Sequence, residues 1–183
     1  MHKLSHQVGN EWLEHSFAPI FAREPATGGA ERLIVGVPAG DRDVLLKLLE
    51  CVEEPLFLLY LLHTPRGEAE PGRYQSPKLT SAEVRAFLAR YSSLLANDAR
   101  HDFWVRSPAS DATVVWDRHN VIYAYGPVEC FESSLRALGF DKTIPVVPVP
   151  HAHHYREEYD TLASEVFTAF QWRQSPLREG DEQ

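Results

Sequence analysis

The feature that most constrains the fold is a series of three short apolar segments that follow one another with no helix between them. The segments are 102–106, 113–116 and 121–125. They are rich in Val, Trp, Tyr and Phe, which favour strands, and the two connections have hairpin length and turn-forming composition. The sequence therefore predicts an antiparallel three-stranded meander at about 102–125, and it disfavours a doubly wound parallel fold, in which strands and helices alternate.

Around this meander, helical and strand periodicities alternate along the chain. Asp41 is predicted to cap a helix, and Thr80-Ser81-Ala82-Glu83 is a capping box that predicts the start of another. The further expected elements are strands at 33–37 and 56–62, a helix after Pro127, an edge strand or extended arm at 143–149, and a last helix over 159–170. Together these elements predict an α+β fold: a mixed, largely antiparallel sheet with helices packed on one or both faces.

The chain length of 183 residues fits a single domain. Four segments are expected within it. These are an N-terminal helical segment at 1–22, a loop at 23–31, the α+β core at 32–172 and a polar, frayed tail at 173–183. The helix is inferred from the spacing of Val8, Trp12, Leu13 and Phe17.

Composition argues against several classes of function. A net charge of −8 without a basic cluster disfavours binding to nucleic acid. The longest apolar run, 56–62, is far shorter than the roughly 20 residues of a membrane-spanning helix, and the N-terminus lacks the apolar stretch of a secretory signal. We therefore expect no membrane association and a cytoplasmic location. Cys51 and Cys130 match no metal-binding spacing and are expected to be reduced and buried.

The segment at 151–158 contains the densest group of candidate metal ligands. If His151 and His153 lie in an extended segment, the two-residue period of a strand directs both imidazoles to the same side. If His154 begins a helix, Glu158 lies one turn later on the same face. The sequence thus suggests a divalent metal site formed by these four residues. The alternative interpretation is that the histidines only end one element and cap the next.

Two further regions could bind a ligand or a partner. The long loop at 64–78 carries Arg66, Arg73, Tyr74 and Lys78, which could clamp an anionic group, or could simply belong to a solvated connection.

Tyr123 and Tyr125 share one face of a predicted strand and could line an aromatic groove with Trp104 or Trp116. In the preceding turn, Asp117 could orient His119 as a general base, although Asp and Asn also suit a hairpin turn.

Two functional hypotheses follow from the sequence, and whether the protein is an enzyme stays open. The favoured hypothesis is a non-catalytic module that binds a ligand or a protein, for example a basic partner that it neutralises or regulates. The alternative is a small metal-dependent hydrolase that uses the 151–158 cluster, with His63 as a further candidate. The sequence carries no nucleophile elbow, phosphate-binding loop or dinucleotide-binding motif, which favours the first hypothesis.

Overall fold

A computed structural model describes residues 2–26 and 29–181 of the chain. Within these ranges there are four helices and twelve strands. The helices are α1 (Arg42–Leu49), α2 (Ser81–Asn97), α3 (Val128–Ala137) and α4 (Asp160–Val166). The strands are β1 (Leu4–Val8), β2 (Glu11–Glu14), β3 (Ile20–Pro25), β4 (Glu31–Gly36), β5 (Phe57–Leu62), β6 (Gly72–Gln75), β7 (His101–Ser107), β8 (Ala112–Trp116), β9 (Val121–Tyr125), β10 (Asp141–Lys142), β11 (His151–His153) and β12 (Arg173–Ser175).

The strands form two sheets. The larger sheet has nine strands in the order β10-β3-β4-β9-β8-β7-β5-β6-β12, and every neighbouring pair except β10 and β3 is antiparallel. The smaller sheet is antiparallel, with the order β11-β1-β2. The predicted α+β class is confirmed, and so is the meander, which is β7-β8-β9.

All four helices pack on one face of the nine-stranded sheet. Their apolar sides join residues of the central strands, such as Tyr60, Phe103 and Trp116, in one buried core. Two of these helices begin at the capping residues that the sequence predicts. Asp41 accepts a hydrogen bond from the backbone N–H of Asp43 at the start of α1, and both hydrogen bonds of the Thr80 capping box are present at α2.

The opposite face of the large sheet carries no helix among the described residues. Its middle forms a smaller buried cluster that includes Phe17, Ile34, Val115 and Tyr123. Phe17 crosses the sheet closely at Gly36, where an added Cβ would lie 2.7 Å from the Phe17 Cβ. A side chain at position 36 would collide with Phe17, which lies where the chain passes from the small sheet to the large one. This position therefore requires glycine.

The helix predicted within 1–22 is wrong, because this segment forms the hairpin β1–β2 and the start of β3. The hairpin turns at Gly9, whose φ of +62° is a conformation that glycine adopts at little cost. His6 pairs with Leu13 in this hairpin, and Trp12 is half exposed rather than buried on a helix. Apolar residues four positions apart lie on one face of a helix. Two short strands joined by a two-residue turn can produce the same spacing.

Four other segments also differ from expectation. The predicted loop at 23–31 begins with the end of β3 and finishes at the first residue of β4, the loop at 64–78 contains β6, and the tail at 173–183 contributes β12. The expected strand at 143–149 is irregular, and only β10, just before it, pairs with the sheet. Met1, residues 27–28 and residues 182–183, which the expected segments include, lie outside the described residues.

The two cysteines are not reduced and buried, as the sequence suggested, but form a disulfide. Cys51 follows α1 and Cys130 lies in the first turn of α3, and the Cα atoms are 5.8 Å apart across a sequence separation of 79 residues. Cys130 is exposed. The pairing arises because α1 and α3 pack against each other, which residue spacing along the chain does not reveal.

Across the described ranges, none of the helices has the length together with the apolar character needed to cross a bilayer.

Candidate metal centre

Three histidines from two separate sheets meet at one place. His119 lies in the turn between β8 and β9, while His151 and His153 lie on β11 of the small sheet. The two β11 histidines project from the same side of the strand because they are two residues apart. One ring nitrogen from each of the three half-buried imidazoles lies within 4.8 Å of the others.

Two of these imidazoles are held by hydrogen bonds through the Nδ1 atom. His119 Nδ1 lies 2.7 Å from Asp117 Oδ2, and His151 Nδ1 lies 2.9 Å from the carbonyl oxygen of Pro148. A carbonyl oxygen only accepts hydrogen bonds, so His151 Nδ1 carries the proton, and the carboxylate favours the same tautomer for His119. Each ring therefore keeps the Nε2 lone pair for another partner. A hydrogen bond from the second ring nitrogen to a carboxylate or carbonyl is the usual support of a metal-binding histidine.

The Asp117 carboxylate is fixed by the turn that it builds. Asp117 Oδ1 accepts hydrogen bonds of 2.8 Å from the backbone N–H groups of His119 and Val121, and the side chain is buried. The ammonium group of Lys3 donates to the backbone carbonyl of Asp117 over 2.8 Å. Asp117 therefore has both roles that the sequence suggests: Oδ1 stabilises the turn, and Oδ2 orients the His119 ring.

The third imidazole, His153, has a buried Nε2 atom without a hydrogen-bond partner among residues 2–26 and 29–181. Burial, followed by the positive charge that His119 and Arg118 would place nearby, lowers the pKa of His153 to about 4. The ring is therefore neutral at neutral pH, which is the state that binds a metal ion. An unpartnered buried nitrogen costs free energy, and a metal ion would remove this cost.

The spacing of the three nitrogens suits a small divalent ion after modest side-chain rotation. A tetrahedral zinc ion with bonds of about 2.05 Å places its ligand atoms about 3.3 Å apart. Imidazole nitrogens suit Zn²⁺, Cu²⁺, Ni²⁺ and Fe²⁺ rather than Mg²⁺ or Ca²⁺, which prefer oxygen. Three protein ligands leave one position of a tetrahedral ion for water or another small ligand.

The residues that the sequence suggested as metal ligands divide into two groups. His151 and His153 come together, whereas the group of converging ligands found among the described residues includes neither His154 nor Glu158. Glu158 is exposed in a short 3-10 turn. The third member of the cluster is His119, which the sequence suggests as a turn residue or a general base beside Asp117 and not as a metal ligand. His63 instead contacts Asp102, with 2.9 Å between Nε2 and Oδ2.

The charged residues of the 64–78 segment are largely engaged within the protein. Arg66 contacts Asp160 over 3.0 Å, Tyr74 is buried and donates its hydroxyl hydrogen to the carbonyl of Glu70, and Arg73 pairs with Asp181. Lys78 is exposed beside a cavity that Glu54 and Thr80 also line. These four residues do not converge on a single anion site.

The same segment is attached to the core by a buried ionic network. Arg100 contacts Asp98, Glu68 and Asp160 at 2.8, 3.1 and 2.9 Å, and the Arg100 side chain is fully buried. Glu68 belongs to the segment at 64–78, so the ion pair with Arg100 holds the first half of this segment in place. The segment at 64–78 is therefore tethered to the core before it leads into β6.

The two tyrosines predicted to line a groove lie in different environments. Tyr123 is buried in the smaller apolar cluster, with the Arg32 guanidinium 4.4 Å from its ring centroid. Tyr125 lines a cavity of about 650 Å³ together with Trp104, and its hydroxyl contacts Arg32. Trp116, the other candidate for the groove, is completely buried under the helices.

Comparison with known proteins finds no matching family model, no matching curated protein and no matching solved structure.

Proposed function

We propose that the protein binds one divalent transition-metal ion through His119, His151 and His153, and that this ion joins the small sheet to the large one. The observation that carries the proposal is the convergence of three imidazoles, two of which are held by hydrogen bonds through the opposite ring nitrogen. Such a site is a binding function in itself, and it would make the stability of the fold depend on metal.

The position of the site in the fold supports this role. Hydrogen bonds at the ends of β1 and β11 connect the small sheet to the core, including the one from the Ala99 N–H to the His154 carbonyl and the one from the Lys3 ammonium to the Asp117 carbonyl. A metal ion bound by β11 and by the β8–β9 turn would add a direct connection between the two sheets. Metal binding should therefore raise the melting temperature.

The experiment is metal analysis of purified, untagged protein by inductively coupled plasma mass spectrometry, followed by titration of the chelator-treated protein with Co²⁺. We expect close to one equivalent of bound metal and the visible absorption bands of a four-coordinate cobalt site. The variant His153→Gln should lose both signals. A matched control is His154→Gln, which removes a neighbouring histidine outside the cluster and should retain them.

Thermal unfolding gives a second readout. At a free metal concentration 100 times the Kd, binding stabilises the native state by about 2.7 kcal/mol. For a chain of this size, this corresponds to a rise of about 5–11 °C in Tm. The proposal is refuted if the protein binds no metal, or if His154→Gln reduces metal binding as much as His153→Gln does.

A metal-dependent hydrolase is the second candidate function. It is favoured by the set of three histidine ligands, because an ion held by three protein ligands would keep a position for a water molecule and lower the pKa of that water to about 7. The test is hydrolysis of p-nitrophenyl acetate by the zinc-loaded protein at several pH values. Activity that disappears in both the metal-free protein and His153→Gln would support this function, whereas a rate equal to that of free zinc would exclude it.

Recognition of a protein partner stays a prediction from the acidic composition. The cytoplasmic location expected from the sequence also stays untested, and the Cys51–Cys130 disulfide favours an oxidising compartment instead, because disulfides are rare in the cytosol.

A further inference from the structure

Three arginines surround a small cavity at the edge of the large sheet, on the face without helices. The cavity measures about 210 Å³, and Arg73, Arg173 and Arg178 line it together with Gln75. These residues come from β6, from β12 and from the segment that follows β12. Arg173 lies directly opposite Gln75 in the pairing of the two strands, so the two side chains share one face of the sheet.

The cavity has an excess of positive charge in a chain whose net charge is −8. Asp181 pairs with Arg73 and also accepts a hydrogen bond of 2.6 Å from the backbone N–H of Arg178. Within the described part of the chain, neither the Arg173 nor the Arg178 side chain forms an ion pair. Counted over the described residues, the three guanidinium groups and the Asp181 carboxylate leave two positive charges, which match the charge of about −2 on a phosphate monoester at neutral pH.

An apolar cavity adjoins this cationic one. It measures about 390 Å³ and shares Leu59, Arg73 and Gln75 with it, and it extends to Trp104 and Phe57. The strand register explains the continuity, because Gln75 pairs with Leu59 and Leu59 pairs with Trp104 in adjacent strands. The cross-strand row from Arg173 to Trp104 is therefore cationic at the sheet edge and aromatic towards the centre.

Trp104 is suited to contact a flat group. Its ring lines the apolar cavity, and the Arg73 guanidinium lies 6.0 Å from the ring centroid. Its buried indole N–H has no acceptor among the described residues, so that a polar atom of a ligand would satisfy it. Aromatic rings and arginine planes are the surfaces on which flat organic groups stack.

We infer that the joined cavities form a binding site for a phosphate monoester with a flat apolar body, in which the phosphate contacts Arg173 and Arg178 and the body lies over Leu59 and Trp104. Guanidinium groups match the geometry of phosphate oxygens through paired hydrogen bonds. The site is separate from the histidine cluster and does not depend on a metal ion.

The test is isothermal titration calorimetry with phenyl phosphate, inorganic phosphate and phenol as probes, together with tryptophan fluorescence. We expect phenyl phosphate to bind at least five times more tightly than inorganic phosphate, and phenol to show no measurable binding. The double variant Arg173→Ala/Arg178→Ala should weaken phenyl phosphate binding at least tenfold, since each hydrogen bond to a charged group contributes substantially. In Trp104→Phe, the change in fluorescence on binding should disappear while calorimetry still detects the ligand.

A matched control removes two exposed arginines from the helical face. Arg85→Ala/Arg136→Ala carries the same change in net charge and should leave the Kd within a factor of two. The inference is overturned if phenyl phosphate shows no saturable binding, or if both double variants weaken it equally, which would indicate a general effect of charge. Equal affinity for inorganic phosphate would overturn the assignment of the apolar body to the cavity beside Trp104.

Discussion

Removal of the Cys51–Cys130 disulfide should destabilise the protein strongly. The bond closes a loop with a sequence separation of 79 residues. In the chain-entropy description, a loop of this length reduces the entropy of the unfolded chain by about 15 cal/mol/K, which is about 4.5 kcal/mol at 25 °C. The variant Cys51→Ser/Cys130→Ser should lose this stabilisation because its unfolded chain is no longer restricted.

The assay is thermal unfolding monitored by circular dichroism, with and without reductant. A loss of about 4.5 kcal/mol corresponds to a fall in Tm of about 9–18 °C for a chain of 150–250 residues. Addition of reductant to the native sequence should cause a similar fall. The double serine variant is its own control, because reductant should not change its Tm further.

Two results would refute this reasoning. The first is titration of two free thiols in the unfolded, unreduced protein, which would show that the bond does not form. The second is a Tm that changes by less than about 2 °C in the serine variant, since a loop of this length cannot be opened at so small a cost in the chain-entropy description.

Three further predictions concern stability and are each checked by urea unfolding. Arg136 and Arg23 hold the pKa of Glu132 at about 2, below the ordinary 4.5. The free energy of unfolding should therefore fall by about 1 kcal/mol as the pH drops from 4.5 to 2. The variant Glu132→Gln should remove this pH dependence. Thr80→Ala should cost about 1 kcal/mol by removing the helix cap, whereas a cost near zero would contradict the role of the capping box. Arg100→Met should cost about 3–5 kcal/mol because it leaves the buried carboxylates of Asp98 and Glu68 without their cationic partner, and a neutral effect would show that the network is not stabilising.

Much of the secondary structure of the core could be predicted because its signals are local. The Asp41 cap, the Thr80 capping box and Pro127 each lie at the start of a helix, and the turn at Asp117–Asn120 joins two strands of the meander. Such signals involve residues within one turn of each other, so their physical effect does not depend on the rest of the chain.

The N-terminal segment shows the limit of local signals. Val8, Trp12 and Leu13 have helical spacing, but all three are about half exposed in the hairpin β1–β2. The hairpin is held by pairing of β1 with β11, which is more than 140 residues away in the chain. Tertiary pairing overrides a weak local preference when the segment is short.

The sequence suggests two of the three histidines of the candidate metal centre as metal ligands. The His-x-His spacing of residues 151 and 153 correctly placed two imidazoles on one side of an extended segment. The third member, His119, lies 32 residues before His151 in the turn of the meander, where the residue types indicate a turn or a general base oriented by Asp117 but no metal ligand. His154 and Glu158 were attractive because of proximity in sequence, but strand alternation and the exposed 3-10 turn separate them from the cluster.

By itself, the sequence determined the α+β class, the meander and the positions of most core helices and strands, because propensity, capping and hydrophobic period act over a few residues. Only the tertiary structure decided that Cys51 meets Cys130, that β12 completes the sheet beside β6, and that His119 meets β11. These contacts join residues separated by about 30 to 100 positions. They depend on how the elements pack as a whole, and no short stretch of chain carries that information.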